Sequence, residues 1–167
     1  MILTLAAALA EPPAPAATPS ADIVTEVTVA PPAEGLAAVL TDLARFRQAL
    51  PPDCVGRFDV GAPAAGQGAS ARLRYDMAAM HRTLTFTLSR VEVAPLRTVV
   101  DFDHASDRGF VTRWTLTPVE GGTQVTVRTA LNAPPWPFTA YYFGAVQPEW
   151  ATCQRQFVEG VARLATE

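Results

Sequence analysis

The sequence predicts an α+β domain in which one curved antiparallel sheet of about seven strands packs under a single long C-terminal helix, with two short helices near the start. The first observation is the helix itself. Val146, Trp150, Cys153, Phe157, Val161 and Leu164 recur at steps of three and four, which places them on one stripe of an amphipathic helix. Glu149, Gln154, Arg155, Glu159 and Arg163 fall on the other side and are expected to form its solvated back. The second observation is that residues 22 to 131 read mostly as short alternating strands. The third is that no other long amphipathic helix exists to cover them, so the sheet must bury its apolar face against this one. A helix laid across a curved sheet leaves room for a cavity.

Composition bounds the answer. With 167 residues, 49% apolar and 17% charged, the chain suffices for one domain with a sizeable core. The net charge is -3 and all 13 basic residues are Arg, with no basic run, so nucleic acid is not an expected partner. Residues 1–20 stand apart from the expected domain, residues 22–166. Ile2 to Ala10 is an apolar run too short for the roughly 20 residues of a membrane span, and no stable span is expected. Its length and the small-x-small ends Ala8-Leu9-Ala10 and Ala14-Pro15-Ala16 suit a truncated signal peptide followed by an Ala/Pro-rich linker, although the basic leader is missing. The expected location is exported or periplasmic, and otherwise cytoplasmic.

Two cysteines, Cys54 and Cys153, do not make a disulfide framework, although they could pair in an oxidising compartment. Cys153 lies on the apolar stripe and reads there as a buried free thiol. With only His81 and His104 as histidines, soft ligands are too few for a structural zinc site. No metal or other cofactor is expected.

In chain order, Ile23 to Val29 alternates as a half-buried strand. Pro31 and Pro32 end it and suit a helix start. Leu36, Val39, Leu40 and Leu43 step round one face of a short helix, Phe46 and Leu50 continue that face in a second, and Pro51-Pro52-Asp53 closes the pair. Cys54 to Val60 is a weak strand. The glycines between 61 and 68 form a turn, since a phosphate loop would need tighter spacing with a lysine or a following helix. Ala69 to Met77 and Met80 to Leu88 then alternate cleanly, and Val99 to His104, Phe110 to Thr117 and Gln124 to Leu131 repeat the pattern across hairpin-length connections. Phe110, Thr112, Trp114 and Leu116 should point inward, as should Val125, Val127, Thr129 and Leu131. Prolines at 134, 135 and 137 force a rigid turn. The aromatics that follow up to Phe143 pack the core or line the mouth of a pocket, and Pro148 should kink or restart the helix near Gly144.

This order resembles the START-like superfamily with its helix-grip (START/Bet v 1-like) fold, and is most similar to bacterial polyketide cyclase/dehydrase-like proteins. The resemblance is carried by Val27-Thr28-Val29-Ala30-Pro31-Pro32-Ala33-Glu34 with Leu40-Thr41-Asp42, by the glycine turn before a strand, by Ala94-Pro95-Leu96-Arg97, and by Leu116-Thr117-Pro118 with Gly121-Gly122-Thr123. It implies a deep apolar cavity for a lipid, sterol, polyketide or aromatic ligand, and no single reaction.

The expected ligand contacts are the inward apolar residues Leu73, Leu84, Phe86, Trp114 and Val127, joined by Tyr142 and Trp150 from the C-terminal segment. Tyr75, Arg82 and His104 share the inward parity and could orient a carbonyl or phenol or act as acid or base. Each also has a plain alternative: Tyr75 as core, Arg82 and His104 at strand ends reaching water. No serine sits in a nucleophile elbow. Three classes remain: a carrier or sensor of a hydrophobic small molecule, which is favoured; an aromatase/cyclase or dehydratase type of enzyme; and a protein-binding module, as the related Hsp90-activator branch implies. The oligomeric state is not legible.

Overall fold

The computed structural model describes residues 22–61, 70–77, 80–105, 110–130 and 137–167, with backbone alone at strand positions 73, 75–77, 80–84, 104–105 and 110. Seven strands form one antiparallel sheet: β1 (Ile23–Val29), β2 (Val55–Val60), β3 (Ser70–Met77), β4 (Met80–Ala94), β5 (Arg97–Ala105), β6 (Phe110–Val119) and β7 (Gly122–Ala130). Their spatial order is β1-β7-β6-β5-β4-β3-β2. The meander is thus the one expected, with β1 returning to pair with β7. Helices α1 (Ala33–Thr41) and α2 (Leu43–Ala49) carry the chain from one edge of the sheet to the other. Asp42 divides them. Its Oδ1 accepts from the amides of Ala44 at 2.9 Å and Arg45 at 3.3 Å, an N-cap that satisfies donors the first turn of α2 leaves over.

β4 runs past Leu88, where the alternating pattern ends. Leu88 pairs with Phe102 but Arg90 pairs with Asp101, so Ser89 is an extra residue in a β-bulge, and its hydroxyl donates to Asp101 O at 3.1 Å. A bulge shifts parity by one and bends its strand. The parity of the concave side therefore changes from even to odd at Ser89, which is why a period-two reading stops there, and beyond it Val91 and Val93 are exposed at 45% and 72%. At the β6–β7 turn Gly121 has φ +83°, and a Cβ on Gly122 would meet Val29 O at 2.0 Å, so only glycine fits both the turn and the crossing β1.

The concave face holds the core. Leu36, Val39, Leu40 and Phe46 meet Val100, Leu116, Val125 and Val127. Across them lies a helical run of α3 (Phe138–Tyr141), one π-helical turn (Tyr142–Val146) and α4 (Gln147–Leu164). Pro148 stands in the first turn of α4, just after the π turn, so the main-chain donor that proline lacks is missing where the hydrogen-bonding pattern of the run already changes. On the convex face the buried Asp101 receives a two-pronged contact from Arg113, at 2.8 and 2.9 Å, which raises the Arg113 pKa above its ordinary value. Among the described residues no helix is long and apolar enough to cross a membrane.

Two expectations for α4 are corrected. Gln154, placed on the solvated back by its spacing, is buried at 6% exposure, because its amide finds partners on the sheet. Cys153, read as a free thiol, is joined to Cys54 in a disulfide with a Cα–Cα distance of 6.0 Å. The fold brings residues 99 apart in sequence to bonding range, which spacing could not reveal.

Candidate functional site, a cavity under the C-terminal helix

A cavity of about 60 Å³ lies where three layers meet. Phe46, Leu50, Pro51, Cys54 and Val55 close it on the α2–β2 side; Phe86, Phe102, Thr112, Trp114, Val127 and Thr129 form its sheet wall; Trp150, Cys153, Gln154 and Phe157 of α4 cover it. Phe46 is the hub of an aromatic wall. Its ring centroid is 5.3 Å from both Phe86 and Phe102 and 4.7 Å from Phe157, the last at 74°. Tilted and edge-on pairs of this kind pack with favourable ring electrostatics. Phe157 also meets Trp114 at 5.1 Å and 87°.

The polar part of the wall is a directed chain. Gln154 Nε2 donates to Val127 O and to Thr25 Oγ1, both at 2.9 Å. A main-chain carbonyl can only accept, so the amide orientation is fixed. Thr129 Oγ1 therefore donates to Gln154 Oε1 at 2.9 Å. Its single proton is then used, so Thr112 is the donor in the 3.1 Å Thr112–Thr129 contact. One donor is left over: Nε1 of Trp114, in a side chain 1% exposed, has no hydrogen-bond partner among the described residues.

Of the residues expected to contact a ligand, Phe86, Trp114, Val127 and Trp150 stand together on this wall. Tyr142 packs elsewhere, in a cluster with Ile23 and Val146. There burial, and then the charge of Asp22, push its phenol up to about 12. The strand register sets Leu73 opposite Leu84, Tyr75 opposite Arg82 and His104 opposite Phe86; the side chains of Leu73, Tyr75, Arg82, Leu84 and His104 lie outside the described ones. Sequence reasoning missed Gln154, the disulfide and the role of Phe46 as hub. Thr112 and Thr129 carried the inward parity and were discoverable. Gln154 gave no signal, since its partners come from two distant strands, Thr25 of β1 and Val127 and Thr129 of β7. Among the described residues no cluster of three or more His, Cys, Asp or Glu stands where a metal ion could be held.

Residues 20–167 match the family described as polyketide cyclase/dehydrase and lipid transport. The chain belongs to that family. No curated protein matches it in sequence. Solved structures resemble this polyketide cyclase/dehydrase and lipid-transport family member in fold. TTHA0849 of Thermus thermophilus is 16% identical with a TM-score of 0.70, over 87% of this chain and 97% of that one. The Zhui aromatase/cyclase of a Streptomyces is 18% identical with a TM-score of 0.64, over 87% and 93%. A STAR-related lipid transfer protein of Xanthomonas axonopodis is 18% identical with a TM-score of 0.60, over 86% and 85%. At these identities the likeness is one of fold, and the fold is the helix-grip arrangement.

Proposed function

We propose that this family member binds a hydrophobic small molecule, such as a lipid, sterol, polyketide or aromatic compound, between the sheet and α4, as a carrier or sensor. One observation carries the reading. The cavity is roofed by the helix and walled by aromatic and aliphatic side chains, and the described lining residues include no acid, base or free thiol. General acid–base catalysis needs a titratable group within reach of the substrate, whereas binding needs only apolar surface and a few orienting polar groups. At about 60 Å³ the space is smaller than the 150 Å³ or so in which a benzene is held. Ligand binding therefore requires α4 side chains such as Trp150 and Phe157, both only partly buried, to give way.

A second reading, an aromatase/cyclase or dehydratase, draws on the family and on the register that sets Tyr75 opposite Arg82. Export to an oxidising compartment is the matching location, supported by the Cys54–Cys153 disulfide; an intact Met1 on soluble cytoplasmic protein from the native host would refute it.

The deciding experiment is mass spectrometry of lipophilic material carried through native purification, together with binding of an environment-sensitive hydrophobic dye. The expected result is a stoichiometric ligand, or dye that a long-chain or polycyclic compound displaces. Loss of turnover of a polyketide-like substrate in Arg82→Ala or His104→Ala with dye binding intact decides for the enzyme. Absence of any dye binding to the folded protein removes both readings in favour of an interaction module.

A further inference from the structure

We propose that the cavity selects neutral apolar molecules bearing a carbonyl oxygen, and that Trp114 Nε1 is the donor that reads it. The inference rests on the cavity being the ligand site. Trp114 is on the cavity wall and almost wholly buried, and its indole N–H has no partner among the described residues. Its edge-on packing with Phe157 offers at most an N–H···π contact, which is second-order beside an oxygen acceptor. A buried donor without an acceptor is costly, so a ligand that supplies one gains affinity that a hydrocarbon of the same shape does not.

The other polar groups on the wall narrow the class. The protons of Thr129 and the Gln154 amide are committed within the directed chain that ends on Val127 O and Thr25 Oγ1. What this part of the wall lacks is an acceptor for Trp114, and a ketone or ester supplies one without adding a donor of its own that would need pairing. A carboxylate is disfavoured, because the described lining residues include no cation to pair with it and an unpaired buried charge is expensive. Nε1 is sealed from solvent in this structure. A ligand acceptor therefore has to reach it through the same giving way of the α4 side chains that the small volume already requires.

The test uses the full chain labelled with ¹⁵N-tryptophan and three probes of matched size: acetophenone, α-methylstyrene, in which the carbonyl oxygen is replaced by methylene, and benzoate. Of the three tryptophan indole signals, that of Trp114 should move downfield with acetophenone and not with α-methylstyrene. The ketone should bind about tenfold more tightly, and Trp114→Phe should erase the difference. If that variant does not fold, the indole shift in the wild-type chain decides alone. Equal affinity for ketone and hydrocarbon, an unmoved Trp114 signal, or benzoate binding as tightly as ketone overturns the proposal and leaves the cavity standing as a ligand site. If neither neutral probe binds at any concentration, the small-molecule reading falls and the proposal with it.

Discussion

Gly160 of α4 lies against Ala49 at the end of α2 so closely that a Cβ on it would stand 2.3 Å from the Ala49 carbonyl oxygen. The seam continues with Arg45, whose Nη2 donates to Leu164 O at 2.6 Å. Alanine is a better helix former than glycine by about 1 kcal/mol, so an isolated α4 would be stabilised by Gly160→Ala. Here the added methyl must push two helices apart, and overpacking costs about 1 to 3 kcal/mol. A lower denaturant midpoint is expected for Gly160→Ala; an unchanged or higher one would show that the seam has slack.

The disulfide ties the α2–β2 turn to α4 across 99 residues. Closing a loop of about that length restricts the unfolded chain, and removing such a bond costs about 2 to 5 kcal/mol. Cys54→Ala/Cys153→Ala should therefore unfold at clearly lower denaturant than wild type in the absence of reductant, whereas dithiothreitol should lower the midpoint of the wild type alone and bring it towards that of the variant. Coincident curves for all samples would refute the link.

Gln154→Leu keeps the shape of the side chain but strips the sheet of its partners. Val127 O and the Thr25 and Thr129 hydroxyls each lose a contact at 2.9 Å. Unsatisfied buried groups cost about 1 to 3 kcal/mol each, some of which the hydroxyls recover by rotating, so the expected loss is about 2 to 4 kcal/mol. A surface glutamine would change stability by less than about 0.5 kcal/mol, and such a result would return Gln154 to the solvated face.

Tyr142 makes stability depend on alkaline pH. Its folded pKa is pushed up to about 12, by burial first and by Asp22 second, while an unfolded tyrosine ionises near about 10. The folded chain thus holds the phenol proton more tightly than the unfolded one, so this contribution is complete below about pH 10 and is lost as pH rises towards 12. Tyr142→Phe should flatten the stability curve between those values, and the ultraviolet phenolate signal of Tyr142 should be among the last of the three tyrosines to rise. A normal midpoint for Tyr142 would show that the cluster with Ile23 and Val146 is open to water.

The sequence by itself determined the sheet, the helix across it and, among the described side chains, the inward set of β6 and β7. The reason is that both signals are local periodicities: Trp114, Leu116, Val125 and Val127 are all fully buried at alternate positions, as a pleated strand with one wet face demands. The same rule failed at Ser89, where one extra residue resets the parity, and a bulge leaves no trace in composition.

What only the tertiary structure decided is which residues from distant segments meet. Cys54 finds Cys153, Ala49 receives Gly160, and Gln154 gathers Thr25, Val127 and Thr129. None of these has a periodic signature, because each depends on the register in which α4 is laid over the sheet. That register also sets the cavity, since it decides that Trp150, Cys153, Gln154 and Phe157 are the residues of α4 that cover it. Periodicity fixes that a helix faces a sheet, but the position at which it settles is chosen by the sum of many close contacts, and the ligand site is a property of that choice.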